Sequence, residues 1–573
     1  MRNREVADIL TRMGTLLEVK GELVFKIRAY FKAAENILNL CEDIETLRKE
    51  DRLSEIPGVG KTLQEKIIDF LDTGKMMAYE QLIQEIPESI LEVIHVPSIG
   101  PKKAKLFYEK LDIKSLDDLK RAAESGELLT LPGIREKTIE NVLRGVRVVQ
   151  QGVERMGLGE ASRLADEVIE ALKKVEGVRH ICPAGSLRRG CETIGDIDIL
   201  VESTHPKEVM EAFVHLPMAQ SVIDFGETKS SIRTEGNRQI DLRVMASKDF
   251  GAALLYFTGS KSFNIKLRQR AIKKKMKISE YGVFKVSGKK ETLIASQTEQ
   301  ECLKALGLEY IPPEIREEIG EARIFQGEPI PELVDLKDIK GDLHVHSTYS
   351  DGKNTITEMV QAAMGRGYQY LAICDHSYRL RVANGVSVED LKKKRKEIDR
   401  LNAQLKDFRI LFGSEVEIDM EGELDYNDHI LGEFDIVVAA IHSGFDQNSS
   451  QLTKRLVKAC QNKHVNIIAH PMGTHSGKRE PYTVDFKEVC QAAVDHNVFL
   501  EINAFPVRLD LNTVNAYFAK NHGVKFSINT DAHHINHLKY MKLGVTIARR
   551  SWLTKDDALN AWPVDKLFKE IKK

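Results

Sequence analysis

The feature that most constrains the fold is a series of apolar segments after residue 340, each followed by a stretch of helical pattern. The segments begin at residues 370, 408, 434, 465, 498 and 524 and read YLAICDHS, FRILFGSEVEI, FDIVVAAIHSG, VNIIAHP, VFLEINA and VKFSINTDAH. Apolar strands that alternate with helices are typical of parallel sheets, because parallel neighbours need a crossover between them. Residues 340–573 are therefore predicted to form an α/β domain built of βα units, with a barrel as one arrangement.

Side chains that bind divalent metals stand at the ends of these segments. The stretch GDLHVHSTYSDG at 341–352 places His344 and His346 on one face of a strand and Asp351 on the following loop. Further candidates follow later strands: Asp375, His376, Glu415, His442, His470, Asp531 and His533. One histidine after a buried strand is more often a hydrogen-bonded core residue, but recurrence at strand ends, where βα barrels build active sites, favours a metal centre. Mixed histidine and carboxylate ligands suit Zn²⁺ or Mn²⁺.

A second, acidic motif lies near residue 200. GDIDILV at 195–201 places Asp196 and Asp198 on one face of a predicted strand, and Asp241 lies in a later strand, RQIDLRVM. Converging carboxylates are costly unless divalent cations neutralise them. An isolated D-x-D is more often a solvated strand edge, but the third aspartate and an upstream Gly-Ser at 185–186 favour a nucleotidyltransferase with Mg²⁺ or Mn²⁺. Gly185, Ser186 and Arg189 are candidates to hold a triphosphate.

Three glycine-containing turns occur in the first 150 residues, which are predicted to be helical. IPGVGKTLQEKI (56–67) and VPSIGPKKAKLF (96–107) place Gly58, Gly60 and Gly100 between helices, and LPGIREKTIENV (131–142) is a looser copy. Glycine lets a phosphate approach the backbone N–H groups at the next helix start. The repetition favours helix-hairpin-helix binding to the DNA backbone, although one such turn alone could be an ordinary helical hairpin.

Composition narrows the class of protein. The seven cysteines are scattered without C-x-x-C spacing, which indicates reduced thiols and a cytoplasmic protein. No run of 18 apolar residues is present, and the start MRNREVADIL has no apolar core behind its basic residues, so we expect neither a secretory signal nor membrane association. The net charge is −2, but eight Lys or Arg and no acid lie between Lys261 and Lys277, which is either a nucleic-acid-binding face or a solvated helix face.

Residues 1 to about 312 resemble a family X DNA polymerase, the group that includes gap-filling repair enzymes. The resemblance is carried by AGSLRRGCETIGDIDILV (184–201) and YFTGSKSFNIKLRQRA (256–271). It implies that Asp196, Asp198 and Asp241 are the catalytic metal ligands. The implied nucleotide-binding residues are Gly185, Ser186, Arg189, Gly195, Tyr256, Phe257, Gly259 and Asn264. The implied DNA-binding residues are Gly58, Gly60, Gly100, Lys261 and Arg268.

The same resemblance raises the question of a 5′-deoxyribose-phosphate lyase. Lys66 stands at the position of the Schiff-base lysine of lyase-competent members, and Tyr30 and Lys26 also match. Phe25 and Thr62, however, replace a His and a Lys that bind the 5′-phosphate in those members. Lys66 is therefore either a nucleophile or a structural lysine on a DNA-binding helix.

Residues from 340 to about 570 resemble the polymerase and histidinol phosphatase (PHP) domain. The resemblance implies a distorted seven-stranded βα barrel that holds three divalent metals, Mn²⁺ or Zn²⁺. The implied ligand groups are His344, His346, Glu415 and Asp531; Glu415, His442 and His470; and Asp351, His376 and His533. His344, His346, Glu415 and His442 would serve phosphodiester hydrolysis.

The sequence thus predicts a multidomain α+β and α/β protein. The predicted segments are a lyase-like helical region at 1–78, a helix-hairpin-helix region at 79–148, a palm at 149–246, a thumb at 247–312, a linker at 313–339 and a PHP domain at 340–573. We expect a monomer that fills short gaps in primed or gapped DNA with dNTPs, with 3′–5′ exonuclease or phosphodiesterase and AP-endonuclease activity. The alternatives are a polymerase with a purely structural PHP domain and a PHP phosphoesterase that is tethered to DNA.

Overall fold

The structure is a computed structural model that forms two compact units, residues 1–154 and 155–573. The described residues are 2–38, 43–56, 58–94, 96, 99–134, 138–139, 142–143, 145–146, 155–234, 236–475, 479 and 481–571. No helix in this described part of the chain is long and apolar enough to cross a membrane.

The first unit is helical, as its sequence pattern predicts. Its described α-helices are Asn3–Lys20, Val24–Leu38, Ile44–Lys49, Lys61–Thr73, Met77–Glu85, Ile90–Ile94, Pro101–Leu111 and Leu116–Glu124. Their apolar faces meet in one core that includes Leu10, Ile67 and Phe107. Two of the helices begin directly after the predicted glycine turns, with Gly60 and Gly100 as their N-cap residues.

The second unit begins with an open sheet. Its strands are β1 Met156–Gly157, β2 Val178–Pro183, β3 Thr193–Ile194, β4 Ile197–Ser203, β5 Ala219–Phe225, β6 Lys229–Thr234 and β7 Gln239–Met245. Five of them form a sheet of order β2-β4-β7-β6-β5, in which only β4 and β7 are parallel. The helices of this region are Leu158–Leu172, Gly185–Arg188 and Pro206–Val214.

A helical region with a small antiparallel sheet follows. Its helices are Phe250–Thr258, Lys261–Lys273 and Glu299–Ala305, and its strands are β8 Met276–Ser279, β9 Gly282–Ser287 and β10 Lys290–Ala295. The segment 313–339, whose composition predicts a linker, is packed rather than open. Arg316 is fully buried, Glu321 is nearly so, and a short helix, Ala322–Phe325, lies within the segment. Its proline and glutamate content did not reveal these buried contacts.

The last region is a seven-stranded parallel sheet in sequence order. Its strands are β11 Gly341–Val345, β12 Tyr370–Ile373, β13 Arg409–Glu417, β14 Ile436–Ala440, β15 Ile467–Ile468, β16 Phe499–Asn503 and β17 Phe526–Asn529. A parallel bridge between Val345 and Ala532 brings the first and last strands together, so the sheet is a nearly closed barrel. The covering helices are Ile356–Met364, Val388–Asn402, Asp428–Leu431, Ser449–Gln461, Phe486–Asp495, Thr513–Asn521, Met541–Arg550 and Val564–Ile571. The predicted βα barrel is confirmed.

The barrel and the open sheet share one apolar core. It runs from Leu158 and Ile197 in the sheet region to Leu543 and Ile528 in the barrel. The contact is close, because a Cβ added to Gly159 would lie 2.6 Å from Pro506 Cβ. Tight packing of this kind transmits strain instead of absorbing it.

Candidate active sites

The three predicted aspartates lie together on or next to β4 and β7, two neighbouring inner strands of the open sheet. Asp198 on β4 lies directly opposite Asp241 on the parallel neighbour β7, and Asp196 immediately precedes β4. Burial raises the pKa of Asp198 to about 7, and repulsion from Asp196 and Asp241 adds to the shift. Such mutual repulsion is relieved when a divalent cation binds between the carboxylates, so this donor set fits Mg²⁺ or Mn²⁺.

The Gly-Ser turn closes over these carboxylates. Gly185 has φ of +57°, and a Cβ added there would lie 2.1 Å from Asp198 Oδ2. Only glycine fits such a close approach with a left-handed backbone. Ser186 follows in the short helix Gly185–Arg188, and Gly195 lies where an added Cβ would meet Arg155 Nη1 at 3.2 Å.

Arg189, the predicted triphosphate contact, has partners within the chain. Its Nε donates to Glu317 Oε1 at 2.5 Å and its Nη1 donates to the Thr258 carbonyl at 2.5 Å. Glu317 was not predicted as a site residue. It lies 128 residues from Arg189 in the sequence, and no local pattern connects the two.

The residues of the YFTGS segment form a second group of contacts. The Tyr256 and Phe257 rings meet edge to face at 5.1 Å, and Asn264 Nδ2 donates to the Tyr256 carbonyl at 2.7 Å. The Arg268 guanidinium lies 5.7 Å from the centre of the Tyr256 ring. Gly259 ends the preceding helix with φ of +71°.

The basic run 261–277 is partly neutralised. Lys266 pairs with Glu321 at 2.5 Å, and Lys277 pairs with Glu291 at 3.1 Å. Arg270 donates to the carbonyls of Leu306 and Gly307 at 2.8 and 2.9 Å. Lys261 and Arg268 are exposed on the helix Lys261–Lys273. The sequence count of eight cations thus overstates the charge that is available to a ligand.

In the first unit, the glycine turns present open helix starts. A Cβ added to Gly60 or Gly100 would meet no described atom within 4 Å, and neither following helix has an acid in its first turn. Gly58 has φ of +84°. These features suit binding of a phosphate to N–H groups. The third turn, 131–142, falls partly outside the described residues.

Lys66 lies on the helix Lys61–Thr73 in the same unit. Its Nζ donates to Tyr30 Oη at 2.5 Å, and Tyr30 itself is buried.

The predicted histidines and carboxylates of the barrel converge at the carboxyl ends of its strands. Geometry groups them as His346, Asp351, His376 and His533; as His344, His346 and Asp531; and as His376, Glu415 and His442. The ninth residue, His470, joins through Nε2, which lies 2.9 Å from Glu415 Oε1. These groups differ from the predicted ligand groups in two ways. His346 belongs to two of the observed groups, and His376 is grouped with Glu415, whose Oε2 lies 2.8 Å from His376 Nδ1.

Buried polar atoms in this cluster test whether it fits metals. Five of them lack an aligned hydrogen bond within the described residues, although two of these atoms, His376 Nδ1 and Glu415 Oε2, lie only 2.8 Å apart: His346 Nδ1, His376 Nδ1, Glu415 Oε2, His442 Nε2 and His470 Nδ1. Unsatisfied buried polar atoms are costly. Imidazole nitrogens and carboxylate oxygens facing one space are the donors that Mn²⁺ and Zn²⁺ use, so the residues fit divalent metals. Asp351 and His533 are partly exposed, at 31% and 26% of their side chains, so the cluster is open to solvent on one side.

Protonation in the cluster differs from site to site. Burial lowers the pKa of His346 to about 4, and the neighbouring His533 and His376 add to the effect. Burial opposes the charge on His442 as well, but Glu415 and Glu417 outweigh it and raise its pKa to about 9. A neutral His346 is the form that ligates metal. His442 would have to release a proton to solvent when it binds a metal.

Two carboxylates that were not predicted hold the histidines in place. Glu501 Oε1 lies 2.8 Å from His344 Nδ1, and Glu417 Oε2 lies 2.8 Å from His442 Nδ1. Glu417 follows Glu415 by two residues on β13, and this i, i+2 spacing was available in the sequence. Glu501 lies 157 residues from His344 and gave no such signal.

Asp375, named among the candidates from sequence, orients the first loop of the cluster. It accepts from Ser347 N and Ser350 Oγ, both at 2.8 Å, and pairs with the fully buried Lys394 at 2.9 Å. These contacts fix the turn that carries His346 and Asp351.

Comparison with known proteins gives a consistent result along the chain. Family models match for a Helix-hairpin-helix domain (1–76), a SAM-like Helix-hairpin-helix tandem (90–147), the DNA polymerase beta palm (155–245), the DNA polymerase beta thumb (253–317) and a PHP domain (342–504).

Similar proteins cover the whole chain or parts of it. The DNA polymerase/3′-5′ exonuclease PolX of Bacillus subtilis is 41% identical over 564 residues, which are 98% of each chain. DNA polymerase lambda of Rattus norvegicus is 25% identical over 348 residues, 55% of this chain and 56% of its own. A probable phosphatase of Thermoanaerobacter sp. (strain X514) is 30% identical over 232 residues, 38% of this chain and 89% of its own.

Proposed function

The chain belongs to the family X DNA polymerases that carry a C-terminal PHP domain, and we propose that it has two separate active centres. One is the aspartate site of the open sheet, and the other is the histidine-rich cluster of the barrel. The chain is a DNA-directed DNA polymerase with an associated 3′–5′ exonuclease, and it acts on DNA with dNTPs. We assign the polymerase to Asp196, Asp198 and Asp241 and the exonuclease to the barrel cluster. The observation that supports this best is the convergence of nine metal-type side chains at one end of the barrel.

In the polymerase centre, the three aspartates would hold Mg²⁺ or Mn²⁺. Such ions activate a primer 3′-hydroxyl and neutralise the leaving pyrophosphate. A triphosphate would lie next to the aspartates and would be held by backbone N–H groups of the Gly185 turn, the Ser186 hydroxyl and the Arg189 guanidinium. By the resemblance to the family, Tyr256 and Phe257 would lie against the sugar, Asn264 would contact the nascent base pair, and Arg268 would lie on the template side. The glycine turns at Gly58, Gly60 and Gly100 and the side chain of Lys261 would bind phosphates of the DNA backbone.

In the exonuclease centre, the nine side chains would hold three divalent ions, Mn²⁺ or Zn²⁺. Bound metals of this kind lower the pKa of a water and polarise a phosphodiester. The chain orients the ligands through Glu501, Glu417 and Asp375 and leaves the side of Asp351 and His533 open to a DNA 3′ end. The same opening would admit an abasic site, so AP-endonuclease activity belongs to this proposal.

The two centres together suit the repair of short gaps in base excision repair. The exonuclease would remove a mismatched or blocked 3′ terminus, and the polymerase would then fill the gap. A lyase step at Lys66 would require deprotonation of an amine that now donates to Tyr30. We propose that the chain acts as a monomer.

A labelled primer on gapped DNA tests the assignment. The samples are the wild type, Asp196→Ala/Asp198→Ala and His344→Ala/His442→Ala, each with Mn²⁺ and with or without dNTPs. The aspartate variant should only shorten primers, and the histidine variant should only extend them. Excision by the histidine variant would reduce the barrel to a structural role, and absence of extension by the wild type would leave a phosphoesterase tethered to DNA.

A further inference from the structure

Three charged side chains join the open sheet, the segment 313–339 and the barrel. Arg189 follows the Gly-Ser turn, Glu317 lies in the segment and Arg550 ends a barrel helix. Glu317 Oε1 lies 2.5 Å from Arg189 Nε and 3.7 Å from Arg550 Nη1. Cys191 Sγ donates to the same oxygen at 3.1 Å. The exposed fraction of the side chain is 14% for Arg189, 21% for Glu317 and 6% for Arg550, so solvent screens these ion pairs weakly.

Glu317 accepts a hydrogen bond from Arg189, whose guanidinium would hold the triphosphate in the proposed function. Arg189 Nε donates to this carboxylate, and Arg189 Nη1 donates to the Thr258 carbonyl. A guanidinium binds a carboxylate and a phosphate through the same N–H groups. An incoming dNTP therefore competes with Glu317 for the Nε edge of the Arg189 guanidinium, whose Nη2 has only a 3.9 Å contact with Cys191 Sγ.

Arg550 is fixed in a position to receive the displaced carboxylate. Its Nη1 donates to the Arg189 carbonyl at 2.7 Å and its Nε donates to Thr513 Oγ1 at 3.0 Å. It also lies 3.7 Å from a carboxylate oxygen of Glu192. These contacts hold the Arg550 guanidinium next to Glu317. Its two nearest carboxylates, those of Glu192 and Glu317, both lie 3.7 Å away, so neither forms a short ion pair with it.

We propose that Glu317 is a built-in competitor for the triphosphate subsite, which pairs with Arg189 in the absence of nucleotide and with Arg550 when a dNTP binds. Glu317 thereby sets the affinity of the polymerase for dNTPs, and the PHP barrel takes part in nucleotide binding through Arg550. This inference rests on the proposed role of Arg189 in the polymerase centre.

The test is the KM for dNTP in single-nucleotide gap filling. Glu317→Gln keeps the shape of the side chain but removes its charge, so a larger fraction of molecules has Arg189 free. Apparent affinity scales with that fraction, and we expect the KM to fall about 3- to 10-fold with kcat unchanged. The matched control is Glu314→Gln, because Glu314 also lies in the segment 313–339 and pairs with a barrel arginine, Arg549, at 2.8 Å. Its KM should equal that of the wild type.

The role of Arg550 is tested by a double-mutant cycle. Arg550→Met should raise the KM, and Glu317→Gln/Arg550→Met should show the low KM of Glu317→Gln, because no carboxylate remains to be received. A high KM in the double variant would overturn the transfer to Arg550. Excision rate and thermal melting of each variant show that it is folded, and the Glu317→Gln result stands alone if Arg550→Met does not fold.

The outcomes separate this inference from the proposed function. If the wild type extends primers and Asp198→Ala does not, an unchanged or raised KM in Glu317→Gln overturns the inference alone. If the wild type extends no primer, both are overturned.

Discussion

Replacing Glu501 by glutamine should weaken metal binding in the barrel without affecting the polymerase. Glu501 is fully buried, and its Oε1 faces His344 Nδ1 at 2.8 Å and Asn529 Nδ2 at 2.9 Å. Its Oε2 accepts from His470 N at 2.8 Å and from Asn503 Nδ2 at 3.0 Å. Whichever way the glutamine amide turns, its NH₂ group faces two donors. His344 or the backbone of His470 then loses its support.

The magnitude follows from the loss of a carboxylate that orients a histidine ligand. Loss of such a partner costs about 10- to 100-fold in metal affinity, or about 1.4 to 2.7 kcal/mol. We expect the Mn²⁺ concentration for half-maximal excision to rise by that factor, with recovery at high Mn²⁺. Primer extension should stay at the wild-type rate.

The assay is a titration of metal-stripped protein with Mn²⁺, followed by the rate of 3′ excision and by calorimetry. Glu423→Gln is the matched control, since Glu423 also belongs to the barrel but is 66% exposed and pairs only with Lys458 among the described residues. If Glu501→Gln binds Mn²⁺ as tightly as the wild type and excises normally at limiting metal, Glu501 does not hold His344 for a metal.

Three further predictions test other parts of the structure. Gly185→Ala should reduce primer extension on the order of 100-fold, because the new Cβ would displace Asp198; excision serves as the internal control, and near-normal extension would refute the close approach. Arg316→Met should lower the free energy of unfolding by about 1–3 kcal/mol, since the buried Glu299 keeps Arg188 but loses its second guanidinium; urea denaturation measures the loss, and an unchanged midpoint would contradict it. Chelation with EDTA should abolish excision, and Mn²⁺ should restore it; far-UV circular dichroism should not change, whereas unfolding on chelation would indicate a structural metal site.

The barrel could be predicted because its evidence is local. Each strand is a short apolar run, and each candidate ligand follows within a few residues of its end, as in ICDHS and NTDAH. The parallel order of the strands then brings these ends together without any knowledge of long-range contacts. The same reasoning placed Asp198 and Asp241 side by side, because each lies on a strand with a recognisable pattern.

The contacts that were missed depend on pairs far apart in the sequence. Glu501 with His344 and Glu317 with Arg189 become neighbours only when the chain folds, and a single glutamate in an apolar or acidic stretch has no distinguishing spacing. Lys394 is intermediate: it looks like one of several solvated lysines in LKKKRKEID, but it shares the helical face of Leu391 and Ile398 and is fully buried. Its i+3 and i+4 spacing to apolar residues could have identified it.

The central claim is that the barrel is a metal centre independent of the aspartate centre. Metal analysis by inductively coupled plasma mass spectrometry, on dialysed protein whose excision rate is measured in parallel, tests it most directly. We predict about three divalent ions per chain in the wild type and in Asp196→Ala/Asp198→Ala. His344→Ala/His442→Ala should bind fewer ions and lose excision, but it should keep the ion of the group His346, Asp351, His376 and His533, which contains neither substituted residue. A wild-type protein that excises 3′ termini without bound metal, or a histidine variant that keeps the wild-type metal content and excision, would contradict this prediction.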